Sequence, residues 1–83
     1  MGSFRVHVVP SAEPELAAVP FPFRRQVNQR LVRLKQNPRP VDAQVIGDGE
    51  DYRLVVHGWI VLYEVAEEEA LVTILAILKA GLT

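Results

Sequence analysis

The sequence predicts an α+β fold: a twisted, mainly antiparallel sheet with a two-helix hairpin packed on one face. Two observations support this prediction. In the first half of the chain, apolar residues recur at helical spacing. After Pro40 the pattern changes to runs of β-branched and aromatic residues separated by short turns. The predicted order of elements is β-α-α-β-β-β, in a single domain that spans residues 1–83.

The first strand and the first helix are predicted within the first 18 residues. Residues 4–9, FRVHVV, largely alternate apolar and polar side chains, which is typical of a half-buried strand, and Pro10 ends the run. Ser11 is a candidate N-cap, and acidic residues with a proline suit the first turn of a short helix that ends at Ala18.

The second helix is predicted between two proline signals. Pro20 and Pro22 end the first helix and start the second, and the Asn37-Pro38 pair stops it. Apolar residues in this segment recur in steps of four, four and three, which is one stripe of a helix. They are Phe23, Val27, Leu31 and Leu34.

The remaining strands are predicted from residue 41 onward. Residues 41–47 form a short strand, and YRLVV and WIVLYEV form a hairpin with a tight turn at His57-Gly58. The run ALVTILAIL, residues 70–78, is apolar at every position but Thr73, so its periodicity alone also fits a helix. Its β-branched content and its place after a hairpin favour a strand near the sheet centre, covered on both faces.

The composition limits the functional classes. The 83 residues contain no cysteine, which excludes disulfides and thiolate metal sites within the chain. The sequence lacks an apolar run of the roughly 18 residues that a membrane span needs, and it does not begin like a signal peptide. We therefore expect a cytoplasmic protein that does not act in a membrane.

The net charge is only −1, but basic and acidic residues are clustered in different parts of the sequence. Six of the nine basic residues lie between Arg24 and Arg39, and eight of the ten acids lie between Asp42 and Glu69. The basic segment fits either a solvated helix face or a surface for a polyanion. The second interpretation makes the helix arginines candidate RNA contacts. They are Arg24, Arg25, Arg30 and Arg33.

The stretch YRLVVHGWIVLYEV, residues 52–65, resembles the RelE/ParE superfamily, the toxins of bacterial type II toxin–antitoxin systems that include plasmid stabilisation proteins. Members carry a stretch like Tyr-Arg-Leu-Arg-x-Gly-x-Tyr-Arg-Val-Leu-Tyr-Glu-Val, which aligns here without a gap. Residues 12–40 likewise resemble the family's helical hairpin. The resemblance implies a RelE-like fold, a cognate antitoxin partner, and either ribosome-dependent mRNA cleavage or gyrase inhibition as the toxic activity.

The resemblance also implies a metal-free and cofactor-free RNA-cleaving site of basic side chains, and this chain departs from it. Two of the family's arginines are replaced by Val55 and Ile60. Arg53 and Lys79 are the basic residues left at matching positions, and His57 is a candidate for proton transfer. Because each lost donor costs roughly 10²- to 10³-fold, we expect RNA cleavage near background.

Two classes of function therefore stay open at this level: a ribosome-dependent nuclease, and a non-catalytic protein-binding module on the same fold. The second class predicts an apolar partner surface, for which the candidates are Val55, Ile60, Trp59 and Ile77. Trp59 also fits a core pair with Tyr63, or a stacking platform for a base. A chain of this length cannot cover both faces of such apolar strands, so we further predict a homodimer when no antitoxin is present.

Overall fold

The computed structural model describes residues 3–81. It contains five strands and two helices. They are β1 (Arg5–Val8), α1 (Glu13–Ala18), α2 (Phe21–Arg33), β2 (Gln44–Ile46), β3 (Asp51–Val56), β4 (Trp59–Ala66) and β5 (Leu71–Lys79). Within the described residues no helix is long and apolar enough to cross a membrane.

The five strands form one mixed sheet in the order β1-β5-β4-β3-β2. Strands β1 and β5 are parallel, and the other three pairings are antiparallel. The predicted fold class is confirmed. The five strands are one more than the order β-α-α-β-β-β contains, because that order leaves out one of the four strands predicted after Pro40; the short strand predicted at 41–47 is observed at the sheet edge as Gln44–Ile46. Residues 71–79 form a strand between β1 and β4, so the strand assignment of this apolar run is also confirmed.

Both helices contribute side chains to the core on one face of the sheet. Val27, Leu31 and Leu34 of the second helical segment are buried there, as their spacing predicts. The prediction was wrong for Phe23, which lies in the first turn of α2 and is 42% exposed. The prediction of Ser11 as the N-cap of α1 was also wrong, because Ala12 occupies the N-cap position and no side chain caps this helix.

Tyr63 lies at the centre of the core. It is fully buried, and its hydroxyl donates a 2.8 Å hydrogen bond to the carbonyl oxygen of Pro38, just after α2. Its ring stacks on Tyr52, with 5.5 Å between ring centroids. Tyr52 in turn accepts a 2.7 Å hydrogen bond from Arg39, which also pairs with Glu67. This network ties the segment that follows α2 to the sheet.

A β-bulge in β5 changes which side chains face the helices. Tyr63 is paired with Ile74 and Leu62 with Ala76, so Leu75 is an extra residue with no partner on β4. Beyond the bulge β1 has ended, and the amide N–H of Ile77 donates a 2.9 Å hydrogen bond to the carboxylate of Glu15 instead. The bulge places Ile74 and Ile77, three residues apart, on the same face of the sheet.

The turn between β3 and β4 has two residues with positive φ, 49° at His57 and 84° at Gly58. This conformation is typical of a type I′ hairpin turn, in which glycine is favoured at the second position. We expect Gly58→Ala to lower the free energy of unfolding by about 1 kcal/mol, through backbone strain, since no atom beyond the two adjacent residues lies within 4 Å of the added Cβ. Urea unfolding measures the change. The control is His57→Asn, which suits positive φ and should be neutral or stabilising; equal effects of both variants would contradict this assignment of the turn.

Candidate binding face of the sheet

Residues 3–81 leave the face of the sheet opposite the helices uncovered, and we call it the open face. Alternation along the strands and the strand register define its residues. Its central part consists of Asp51, Arg53 and Val55 on β3, Ile60, Leu62, Glu64 and Ala66 on β4, and Leu71, Thr73, Ala76 and Leu78 on β5. Arg5 and His7 on β1 lie at one margin, and Gln44 and Ile46 on β2 at the other.

The half of the open face nearest the β3–β4 turn is apolar. Val55 is paired with Ile60, and Ile60 is paired in turn with Leu78, so the three side chains form a row across three strands. Val55 is 45% and Leu78 44% exposed, although both are aliphatic. Leu62 and Ala76 extend the patch by one more row. A contiguous exposed apolar patch of this kind indicates an interaction site.

Arg53 lies at the edge of this apolar patch. It is exposed, and it is flanked by Gln44 on β2 and Leu62 on β4. Within residues 3–81 it forms no ion pair. Its guanidinium is therefore free to bind an anionic group, whether a phosphate or a carboxylate.

Two acids lie on the same face, directly opposite each other. Asp51 of β3 is paired with Glu64 of β4, one row away from Arg53. Like charges in directly opposite positions destabilise a sheet. Neither carboxylate forms an ion pair with a base in the described part of the chain. The open face thus carries an unpaired base and two unpaired acids beside its apolar patch.

Lys79 does not share a face with Arg53. It is paired with Trp59, and Trp59 with Val56, all on the side of the helices. The Lys79 ammonium lies 5.6 Å from the centroid of the Trp59 ring, within cation–π range. The two bases predicted to act together are therefore on opposite sides of the sheet, and the geometry gives no support for one catalytic site that contains both.

His57 lies in the exposed turn beyond the row of Val55 and Ile60. No acid forms an ion pair with it in residues 3–81, and nothing there orients its imidazole. A general base normally needs a partner that fixes its ring. Its role in proton transfer remains a prediction from the sequence.

The predicted partner-binding residues divide between the two faces. Val55 and Ile60 lie side by side on the open face, as a partner surface requires. Ile77 is only 3% exposed and belongs to the core, so its side chain has no surface to offer a partner. Trp59 is half-buried against the core on the helix side, which corrects its assignment to a partner surface and favours its interpretation as a packing residue. Tyr63 completes that core, so neither aromatic ring forms a stacking platform for a base.

Part of the basic surface of α2 is engaged within the chain. Arg30 forms a 2.9 Å ion pair with Asp42, which holds the pKa of that carboxyl below its usual value. Arg24 donates a 2.9 Å hydrogen bond to the carbonyl oxygen of Ala17. Arg25 and Arg33 are exposed and form no ion pair within residues 3–81. Of the four candidate RNA contacts, these two have the freer side chains.

Among the residues of the open face that the sequence did not predict are Leu62, Leu78, Asp51 and Glu64. The register of β3 against β4 could have identified the two acids and Leu62, because a two-residue turn at 57–58 fixes every pair of the hairpin. The described residues contain no group of three or more acids and histidines that could hold a metal ion. The open face is thus suited to contact with a macromolecule through apolar and charged side chains.

Comparison with known proteins gives a match of structure but not of sequence. No protein-family model matches the chain, and no curated protein matches it. The structure of the isolated RelE toxin of Escherichia coli superposes with a TM-score of 0.86 at 20% identity, over 98% of this chain and 88% of that chain. The chain has the RelE toxin fold.

Two further structures extend this likeness to toxin–antitoxin complexes. A chain of the RelE–RelB complex from Pyrococcus horikoshii matches with a TM-score of 0.84 at 20% identity, over 98% of this chain and 99% of that chain. A chain of the RelBE2 complex from Mycobacterium tuberculosis matches with a TM-score of 0.81 at 16% identity, over 93% and 98%. At these identities the likeness establishes the fold alone.

Proposed function

We propose that this chain is the toxin-side component of a type II toxin–antitoxin module, and that it acts by binding a protein partner rather than by cleaving RNA. The RelE toxin fold, over nearly the whole chain, supports the first part. The second part rests on one observation above all. The row of Val55, Ile60 and Leu78 is apolar, with Val55 and Leu78 exposed and Ile60 half-buried between them, and the RelE/ParE resemblance would place arginines at the first two of these positions.

The electrostatics of the open face favour binding over catalysis. Cleavage of RNA develops negative charge, and preorganised donors around that charge are usually the largest catalytic contribution. Arg53 is the one base in the central part of this face, since Lys79 lies on the opposite side. A single exposed guanidinium, with two carboxylates one row away, is poorly arranged to stabilise a developing anion.

The chemistry of the open face also describes its partner. An antitoxin segment that covers the patch needs apolar side chains against Val55, Ile60 and Leu78. A carboxylate of that segment would form a charge-assisted hydrogen bond with Arg53 at the edge. Burial of the aliphatic side chains would supply the main favourable contribution to binding, since each Å² of apolar surface removed from water contributes about 25 cal/mol before the entropic cost of association is subtracted.

The test is co-purification with the product of a short reading frame next to the gene for this chain. We expect the two proteins to form a stable complex that Ile60→Asp abolishes, because a carboxylate would be buried in the apolar contact. Val32→Asp is the matched control, since Val32 is exposed on α2 and lies off the open face. Absence of such a reading frame, or a complex that tolerates Ile60→Asp as well as the control, would contradict the proposal.

Ribosome-dependent mRNA cleavage is the second candidate. The observation in its favour is that Arg25 and Arg33 are exposed on α2 without acidic partners in the described chain, which suits contact with ribosomal RNA. Arg53 would then hold the scissile phosphate. The two candidates are separated by whether ribosome-bound messenger is cleaved: cleavage supports the nuclease, and intact messenger supports partner binding alone.

A further inference from the structure

Charged and apolar side chains on the open face follow an ordered sequence of rows. From the turn between β3 and β4, the first row is apolar and contains Ile60 paired with Leu78. The next row carries Arg53, and the row after it carries the acids Asp51 and Glu64. The last row has Ala66 paired with Leu71, and Arg5 of β1 lies beside Leu71 at the margin of the sheet. Over the three strands β3, β4 and β5 the order is therefore apolar, basic, acidic, apolar.

This order is complementary to itself when it is reversed. A two-fold axis that runs across the strands, between the row of Arg53 and the row of Asp51, would bring apolar rows against apolar rows and the base against the acids. Arg53 would meet Asp51 of the partner subunit. We propose that the open face is the interface of a two-fold symmetric dimer of this chain, with the two sheets packed face to face and these charge contacts formed twice.

The unpaired charges of the open face favour a second copy of this chain as its binding partner. Asp51 and Glu64 are directly opposite each other and lack a base among residues 3–81, and Arg53 lacks an acid. In the dimer the guanidinium of each subunit would lie over the acidic row of the other. The repulsion between the two acids would thereby be offset in both subunits.

The size of the face indicates a weak dimer. The face has 15 residue positions, with strands about 4.8 Å apart and rows about 6.7 Å apart, which gives a flat area on the order of 500 Å² per chain. A standard protein interface buries about 800 Å² on each partner. We therefore expect a weak, reversible dimer, because interfaces below about 1,200 Å² in total are typical of transient complexes. A range from about 1 to about 100 μM protein is suited to detect its dissociation on dilution.

Sedimentation of the purified chain over this concentration range tests the association. Ile60→Asp should leave a monomer at the highest concentration, since it places a carboxylate in the apolar contact of both subunits. Val32→Asp adds the same charge to α2 and should sediment like the wild type. Circular dichroism of each variant separates loss of association from loss of fold.

A charge exchange tests the two-fold geometry itself. Arg53→Asp places a carboxylate against each Asp51, and Asp51→Arg places a guanidinium against each Arg53, so either single variant should raise the dissociation constant at least about tenfold. The double variant of one chain, Arg53→Asp with Asp51→Arg, should recover the dimer. An equimolar mixture of the two single variants should also recover it, as a heterodimer with both contacts complementary. Lys35→Asp is the control for charge alone, because Lys35 is exposed outside the sheet.

The outcomes are distinct from those of the proposed function. A monomeric wild type at about 100 μM, or a dimer that Ile60→Asp and the single charge variants leave intact, would overturn the proposed interface. Failure of the double variant and of the mixture to recover association would overturn the two-fold register. None of these measurements requires an antitoxin, so a negative result here leaves the proposed partner binding in place.

Discussion

Raising the pH from about 10 to about 12 is expected to remove about 2 kcal/mol from the free energy of unfolding. The cause is Tyr63, whose burial raises the pKa of its hydroxyl from 10.0 to about 12. The folded state therefore holds this proton more tightly than the unfolded state. The stabilisation is fully present below the unfolded pKa, near 10, and is lost as the pH rises through the folded value.

The comparison with Tyr63→Phe isolates this titration from that of the other groups. The variant should be less stable at neutral pH by about 1 kcal/mol, because the carbonyl oxygen of Pro38 loses its donor. Between pH 10 and 12 it should lose less stability than the wild type, although it retains Tyr52 and Arg39. Urea unfolding at several pH values measures both curves. Parallel curves above pH 10 would show that Tyr63 does not carry the alkaline sensitivity.

The sequence was sufficient to predict the elements and the register of the central hairpin. The helical stripe of Val27, Leu31 and Leu34 and the tight turn at His57 both correspond to observed features. Because a two-residue turn fixes the pairing of its strands, the opposition of Val55 and Ile60 also follows from the sequence. These predictions succeeded because each depends on local spacing alone.

The facing of the last strand could not be predicted in the same way. Without the bulge at Leu75, Ile77 would be paired with Ile60 on the open face, and Lys79 would point to the same side as Arg53. The extra residue moves both side chains to the opposite side of the sheet. This explains why Ile77 is a core residue and why Lys79 lies next to Trp59. A continuous apolar run contains no alternation from which such a bulge could be recognised.

This reversal changes the expectation for catalysis. From the sequence, Arg53 and Lys79 were the two bases available for phosphate binding and charge stabilisation. The structure leaves Arg53 with the carboxylates of Asp51 and Glu64 as its charged neighbours in the centre of the face. A polyanion would have to approach these acids, whereas a protein segment could contact the apolar patch and avoid them. The charge pattern that disfavours RNA is thus the one that makes the face self-complementary.

Induced expression of the chain in bacteria is expected to leave ribosome-bound messenger intact and growth nearly unchanged. Restoring a single well-placed donor is worth roughly 10²- to 10³-fold, and at least two donors are absent from the open face. The measurement is growth after induction, together with mapping of messenger ends on ribosomes. Arg53→Ala should be indistinguishable from the wild type, because no cleavage depends on Arg53.

The variant Ile60→Arg tests whether the fold retains the geometry of a nuclease site. The arginine that it introduces would lie on the open face next to Val55 and one row from Arg53, at a position where the RelE/ParE resemblance expects one. Cleavage by this variant, but not by the wild type or by the matched Val32→Arg on α2, would show that the geometry of a nuclease site persists and only its charge has been lost. Strong arrest by the wild type that Arg53→Ala abolishes would instead establish a nuclease and refute partner binding as the sole activity. Absence of cleavage by all four proteins would agree with the proposed function, in which the apolar face binds a protein partner.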